Sequence, residues 1–299
     1  MKKTWLENVK RWRSVLSPII GAGVLILFGY WLWNYREVIF ALLQQIGLIQ
    51  LVVIMALMLL AMALTVSVLV ILVRDKGYTF NFADGYHTLN LSQLASMIPG
   101  GVWGFAGFAG FLWSRGVSKI DSAVIIFLNA LIMLSACAVV GLSGLISILG
   151  WGYAVLCFIP FVFLIFARNR LEEFRKIYFP QSSALPSVKA LLQAAGLGIL
   201  VWLINAFCFA WMLFSANINS PIPIQVAIGA YATGYLGGYL AIFVPSGVGV
   251  SEGLTTLILS SYMEAKLIIA VAISFRIIHT IVIWGNILVS VLLTSSSQK

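Results

Sequence analysis

The sequence predicts an all-α polytopic membrane protein with six full spans and two broken or re-entrant helical hairpins related as an inverted repeat. Three observations predict it. Of 299 residues, 62% are hydrophobic and only 9% are charged, so lipid must be the solvent for most of the chain. Several apolar runs reach the roughly 20 residues that a helix needs to cross a hydrocarbon core about 30 Å thick. Two further apolar segments are interrupted by proline and glycine at similar positions in the two halves of the chain.

Six apolar runs are predicted to span the bilayer. Backbone N–H and C=O groups in lipid must pair within their own segment, and long uninterrupted apolar runs achieve this as helices. The first run follows a basic segment but lacks a small-residue cleavage pattern, so we interpret it as a retained span and not as a signal peptide. In chain order the predicted spans are Ser17–Trp33, Gln50–Val73, Ser122–Leu149, Trp151–Ala167, Val188–Ala216 and Leu267–Thr294.

The segment Asp84–Trp113 is predicted to form the first hairpin. It is broken at Ile98-Pro99-Gly100-Gly101, which leaves the arms Asp84–Ile98 and Val102–Trp113. At 1.5 Å per residue these arms would be roughly 22 and 18 Å long, so neither crosses the hydrocarbon core. We expect this hairpin to dip into the membrane from the cytoplasmic face and to return there.

The segment Ile224–Met263 is predicted to form the second hairpin, entering from the outer face. It is broken at Val244-Pro245-Ser246-Gly247, and Pro99 and Pro245 lie 146 residues apart, about half of the chain. Both breaks have the pattern Pro-x-Gly-Val. Paired interruptions of this kind in two halves are typical of an inverted repeat. The single transmembrane domain, residues 1–299, is therefore expected to consist of repeats at 1–149 and 150–299.

The net charge of +9 indicates membrane topology and not nucleic-acid binding. With these spans and hairpins, 15 of the 18 lysines and arginines lie on one side, Arg36 and Lys266 on the other, and Arg276 within a span. An excess of lysine and arginine marks the cytoplasmic side. Both termini and the basic loop Arg168–Pro186 are therefore expected in the cytoplasm of a bacterial-type inner membrane, where anionic lipids are the partners of the basic residues.

The residues around the two breaks form the predicted substrate-binding site. A broken helix leaves unpaired backbone groups inside the membrane, which is tolerated where they line a polar cavity or bind a ligand. The freed helix N-termini suit an anion such as phosphate. Glycine and proline also occur in membrane helices as kinks and packing positions, which is the alternative interpretation. The predicted site residues are Pro99, Gly100, Gly101, Trp103, Arg115, Pro245, Ser246, Gly247, Gly249, Glu252, Arg276 and His279.

Glu252 and Arg276 are two of the few ionisable residues deep in the apolar segments. A charge at that depth is costly unless it is paired, protonated or facing water, so we expect the two to form an ion pair. A purely structural pair is the alternative. His279 lies on the same helix face as Arg276 and is either part of the site or a hydrogen-bonded core histidine. At the membrane surface, Asp84 and Asp121 are interpreted as helix N-caps.

No catalytic or metal-binding motif is present. The sequence contains no HExxH, CxxC, GxSxG, Walker or dinucleotide-binding pattern, and it has only two histidines. Its cysteines, Cys137, Cys157 and Cys208, fall inside apolar runs without metal-ligand spacing, so we interpret them as core residues. We expect no enzymatic activity and no cofactor.

Two stretches carry a resemblance to a known family. Ile98-Pro99-Gly100-Gly101-Val102-Trp103-Gly104-Phe105-Ala106-Gly107, with Ser114-Arg115-Gly116-Val117-Ser118, resembles the first motif of the lysylphosphatidylglycerol synthase transmembrane-region family. Val244-Pro245-Ser246-Gly247-Val248-Gly249-Val250-Ser251-Glu252-Gly253 resembles its second. The resemblance implies movement of an anionic lipid or a lipid-linked glycan between leaflets. Gly101 and Phe108 stand where many relatives carry basic residues, and Ser246 replaces a glycine, which counts against aminoacyl-phosphatidylglycerol as the substrate.

Three functions are compatible with these observations. The first is a flippase whose substrate is an anionic phospholipid or a lipid-linked glycan, with the headgroup in a polar cavity between the hairpins. The second is a secondary transporter of a small solute, which uses the same broken helices. The third is a non-catalytic scaffold in an envelope lipid or glycan assembly complex. The expected partner is a membrane lipid or lipid-linked substrate; a second copy of the chain and an envelope biosynthesis protein are left open.

Overall fold

The computed structural model describes residues 26, 29–30, 32–96, 103–150, 159–216, 222–241, 244 and 247–296. Within these residues all regular structure is helical, and a helical stretch at 32–46 precedes the numbered helices. The numbered helices are α1 Leu48–Asp75, α2 Phe82–Ser96, α3 Trp103–Ser114, α4 Lys119–Gly144, α5 Ile146–Leu149, α6 Ile159–Tyr178, α7 Val188–Ala216, α8 Ile224–Leu240, α9 Val250–Leu259 and α10 Ala265–Ser296.

Four helices of the described chain are long and apolar enough to cross a membrane: α1, α4, α7 and the segment Ala265–Leu292 of α10. Each has between 26 and 29 residues, or roughly 40 Å, which exceeds a hydrocarbon core of about 30 Å. The multi-pass helical membrane fold is therefore confirmed. The predicted spans Ser17–Trp33 and Trp151–Ala167 lie largely or partly outside the described residues, so a total of six spans stays a prediction.

Both halves of the described chain have the same order of helices: one long helix, two short arms and a second long helix. The first half runs from α1 to α4, and the second from α7 to α10. The pairings correspond as well, because α2 packs on α3 and α8 packs on α9 within each hairpin. Each hairpin's first arm also packs on the last long helix of the other half, α2 on α10 and α8 on α4. The long helices α1 and α7 pack on each other.

The two hairpins begin at opposite ends of the bundle. Asp84, near the start of α2, forms a 3.1 Å ion pair with Arg115, just after α3. That hairpin therefore starts and ends at the level where α4 begins at Lys119; we call this level the basic end. At the far end of α4, a Cβ on Gly144 would lie 2.6 Å from the Cα of Gly229, close to the start of α8. Descent of the two halves from an inverted repeat stays a prediction.

The structure corrects two assignments made from the sequence. The predicted loop Arg168–Pro186 is helical as far as Tyr178, where α6 ends, because Leu171, Phe174 and Tyr178 are spaced three and four apart and form an apolar face among the charged residues. The predicted span Ser122–Leu149 is interrupted at Leu145, which lies in a turn between α4 and α5.

Asp84 and Asp121 are not N-caps, contrary to the sequence interpretation. Asn81 precedes α2, and its Oδ1 accepts a 2.8 Å hydrogen bond from the amide of Asp84. Asp84 Oδ2 in return accepts a 3.0 Å bond from the amide of Asn81. Ser118 caps α4 by accepting from the amide of Asp121 at 3.1 Å. Each aspartate is the third residue of its helix. Asp84 completes a reciprocal capping box with Asn81, whereas the amide of Ser118 donates to the hydroxyl of Tyr78 at 3.2 Å.

Candidate functional site

Glu252 and Arg276 form an ion pair between the second hairpin and α10. Glu252 is the third residue of α9, and its Oε1 contacts Nε of Arg276. The carboxylate side chain is only 4% exposed, whereas the arginine side chain is 22% exposed. The structure therefore contains the pair expected from the sequence, with its anion buried and its cation accessible in part. A role of the pair in substrate binding stays a prediction.

The first turn of α9 positions the Glu252 carboxylate. Gly249 has φ +85° and donates its amide to Glu252 Oε2 at 2.7 Å. Gly247 has φ +63°, and a Cβ there would lie 2.6 Å from backbone atoms of Gly238 on α8. Both positions therefore require glycine, because side chains disfavour this backbone region. Ser251 Oγ lies 3.1 Å from Glu252 Oε2 and accepts a hydrogen bond from Arg276, which completes the network.

Two helix lengths give the distance of this network from one end of the bundle. Arg276 lies 11 residues after Ala265, the first residue of α10, which corresponds to roughly 16 Å along the helix. Glu252 lies seven residues before Leu259, the last residue of α9, which corresponds to roughly 10 Å, and Leu259 is only six residues before α10 begins. Both distances start from the same end of the bundle and correspond to about a half and about a third of a hydrocarbon core about 30 Å thick.

A face of three tyrosines on α8 adjoins the network, and it was missed in the sequence. Tyr231, Tyr235 and Tyr239 are spaced four residues apart and therefore share one helix face. The ring of Tyr231 lies 5.1 Å from that of Phe275, the residue before Arg276. Tyr235 packs edge-on against Trp202 of α7 at 4.5 Å. Tyr235 and Tyr239 are 36% and 44% exposed. The four-residue spacing of the tyrosines in the sequence could have indicated that they share one helix face.

The remaining predicted residues do not all meet at this network. His279 lies one turn beyond Arg276 and stacks on Phe275 with ring centroids 6.5 Å apart. Arg115 forms its ion pair with Asp84 at the basic end and not with the groups around Glu252. Trp103 begins α3, and only its backbone is described. Outside the described residues lie Pro99, Gly100, Gly101, Pro245 and Ser246.

The helix α10 contacts both hairpins. Arg276 contacts the second hairpin through Glu252, whereas Asn286, ten residues later, accepts a 2.8 Å hydrogen bond on Oδ1 from the hydroxyl of Tyr86 on α2. His87 Nδ1 lies 2.6 Å from the hydroxyl oxygen of Ser290. These polar contacts between α2 and α10 had no recognisable sequence pattern. They join the first hairpin to the helix that carries the mid-membrane arginine.

Comparison with known proteins agrees with the motifs and the helical architecture. No curated protein sequence matches the chain. The family described as the lysylphosphatidylglycerol synthase TM region matches residues 12–285, a range that contains both hairpins and the Glu252–Arg276 pair. This range is far more than half of the chain, and the match confirms the resemblance carried by the two motifs. The chain therefore belongs to the lysylphosphatidylglycerol synthase transmembrane-region family, a family of membrane proteins of lipid and envelope processes.

Proposed function

We propose that the protein is a non-enzymatic flippase that moves an anionic phospholipid or a lipid-linked glycan between the leaflets of a bacterial cytoplasmic membrane, with both termini in the cytoplasm. The observation that carries the proposal is the position of Arg276. Its side chain lies within the apolar helix α10, contacts Glu252, and is 22% exposed. Family membership supports a lipid as the substrate.

An arginine in this position has a free-energy cost, and such a cost is usually retained for a function. Ionisable residues within membrane segments are rare and face the bundle interior or a polar pathway. Glu252 offsets the charge of Arg276, and Ser251 accepts a further hydrogen bond from it. The guanidinium is a planar fork of donors, the geometry that matches a phosphate group.

The surroundings of the pair support a pathway for a headgroup. The two hairpins start at opposite ends of the bundle and share α10, as expected for alternating access in transporters built from inverted repeats. The hydroxyl-bearing face of Tyr231, Tyr235 and Tyr239 extends from the neighbourhood of Arg276 along the first arm of the second hairpin. Such a face accommodates a polar headgroup while the acyl chains remain in the surrounding lipid.

The test is headgroup translocation in liposomes. Purified protein is reconstituted with fluorescent phosphatidylglycerol, and a membrane-impermeant quencher reports movement between leaflets. We expect Glu252→Gln and Arg276→Ala each to slow translocation at least about tenfold, since a charge-assisted hydrogen bond is worth about 1.5–3 kcal/mol. Arg276→Lys should have an intermediate rate, because lysine keeps the charge and loses the planar fork. The control is Arg170→Ala, which removes a cation whose side chain is 88% exposed.

The outcomes separate the three functions. Wild-type rates in both Glu252→Gln and Arg276→Ala, with normal expression, contradict the flippase assignment for this site. Wild-type protein that moves soluble phosphate esters and no lipid indicates a small-solute transporter. Wild-type protein that moves neither favours a scaffold in an envelope assembly complex.

A further inference from the structure

A groove of about 560 Å³ lies at the basic end between α4, α6 and the loop that precedes α7. Its lining includes neither Glu252 nor Arg276, so it is distinct from the mid-membrane network. Its volume falls within the about 300–1,000 Å³ that is usual for small-molecule sites. Lys119, Ala123 and Phe127 of α4 form one wall, and Arg168 and Phe174 of α6 form the other.

The walls of the groove are apolar, and the groove opens at the basic end, where α4 begins at Lys119. Phe127 is 66% and Phe174 is 51% exposed, although both line the groove. Beyond Arg168, α6 alternates charged residues with Leu171, Phe174 and Tyr178. A helix with this pattern lies in the interface between headgroups and acyl chains. The groove therefore runs from headgroup depth towards the hydrocarbon.

The polar end of the groove carries an uncompensated positive charge. Arg175 also lines the groove, but Glu172 accepts hydrogen bonds from it at 2.6 and 2.9 Å and neutralises it. Arg168 donates to the backbone carbonyls of Pro186 and Leu185. Among the described residues neither Arg168 nor Lys119 has a carboxylate within ion-pair distance. Two positive charges therefore line an otherwise apolar groove at the basic end, and Lys119 Nζ also lies 5.8 Å from the centre of the Trp113 ring.

We propose that this groove is a binding site for one anionic phospholipid of the adjacent leaflet. One acyl chain lies between Phe127 and Phe174, and the phosphate lies near Lys119 and Arg168. The amphiphilic lining matches a lipid with an anionic headgroup. A polar solute would leave the apolar walls uncovered, and a neutral hydrocarbon would leave Lys119 and Arg168 without a counter-charge. This binding is separate from transport, so it stands or fails independently of the proposed flippase activity.

The test is native mass spectrometry of the purified full-length protein after equilibration with either phosphatidylglycerol or phosphatidylcholine. Lys119→Glu reverses a charge of the groove, and Ala123→Trp fills its wall. The matched controls are Lys176→Glu, a charge reversal on α6 outside the lining, and Leu257→Trp, a tryptophan at an exposed position of α9. Thermal unfolding of every variant shows whether the fold is retained.

The wild type should retain phosphatidylglycerol in preference to phosphatidylcholine. Lys119→Glu should weaken phosphatidylglycerol binding at least about fivefold, as expected for the loss of one basic residue near the surface, and Ala123→Trp should abolish it. Both controls should bind as the wild type does. Equal retention of the two lipids, equal effects of Lys119→Glu and Lys176→Glu, or unchanged binding in Ala123→Trp would overturn the proposal. A wild type that binds neither lipid would also overturn it. So would an Ala123→Trp variant that unfolds at a lower temperature than the wild type, because the tryptophan would then displace other parts of the chain from the groove.

Discussion

Lys76 Nζ lies 2.9 Å from Asp121 Oδ1 at the basic end, and the two side chains are 0% and 1% exposed. Asp121 also accepts hydrogen bonds from the hydroxyl groups of Tyr78 at 2.5 Å and Ser182 at 2.6 Å. Lys76 donates to the carbonyl oxygen of Ser183 at 3.1 Å. The pair therefore joins the residue after α1, the first turn of α4 and the loop before α7 in one saturated polar network.

We expect Asp121→Asn to destabilise the protein by about 3–5 kcal/mol, because it leaves the Lys76 ammonium buried without a counter-charge. The measurement is unfolding in detergent micelles by increasing sodium dodecyl sulfate. The double variant Lys76→Met with Asp121→Leu should regain much of the loss, since apolar replacement of both partners removes the unpaired charge. Equal stability of Asp121→Asn and the wild type would show that the pair contributes nothing.

The second prediction concerns the close packing between α4 and α8. A Cβ on Gly144 would lie 2.5 Å from the carbonyl oxygen of Gln225 and 2.6 Å from the Cα of Gly229, and both contacts are backbone atoms. We expect Gly144→Ala to cost about 1–3 kcal/mol, because the helices must move apart. The control is Gly196→Ala on α7, where a Cβ meets nothing within 4 Å. It should be neutral or slightly stabilising, and a similar loss in both variants would contradict the packing argument.

The third prediction is that the stability contributed by Glu172, at the basic end, depends on pH. The hydrogen bonds from Arg175 and the amide of Leu185 lower the pKa of Glu172 below its ordinary value of 4.5. A lowered folded-state pKa stabilises the protein above pH 4.5, and this contribution is lost as the pH falls through the lowered pKa. We therefore expect Glu172→Gln to be less stable than the wild type at pH 7, with a difference that shrinks below pH 4.5. Glu173→Gln, which changes an exposed neighbour, should show little difference at any pH; a Glu172→Gln difference that is constant with pH would contradict the prediction.

The long helices and the mid-membrane pair could be predicted because the bilayer imposes strict rules. An apolar run of sufficient length must become a helix, which placed α1, α4, α7 and α10. A charge in such a run requires a partner, which pointed from Glu252 to Arg276. Both predictions follow from the cost of polar groups in hydrocarbon.

The Lys76–Asp121 network could not be predicted on the same grounds. Each residue lies next to a span end, where solvated charges are common, and no pattern showed that the loop before α7 folds over them. The helix caps were predictable in principle. Asn81 and Ser118 each stand three residues before an aspartate, which is the spacing of a capping box, but the aspartates were assigned as the caps themselves.

Tyr86 and Asn286 provide a measure of how firmly the first hairpin is held on α10. Their side chains are joined by a hydrogen bond of 2.8 Å. In a double-mutant cycle, Tyr86→Phe and Asn286→Ala should show a coupling of about 0.6 kcal/mol, the usual value for such bonds between membrane helices. Asn205→Ala is the matched control, because Asn205 and Asn286 both donate to the carbonyl oxygen four residues earlier, at 2.9 and 2.8 Å. The effects of Tyr86→Phe and Asn205→Ala should add. If the effects of Tyr86→Phe and Asn286→Ala also add, the side-chain hydrogen bond does not hold the hairpin. The contacts that remain are the bond from the Tyr86 hydroxyl to the backbone carbonyl of residue 286, the His87–Ser290 contact and the packing between α2 and α10.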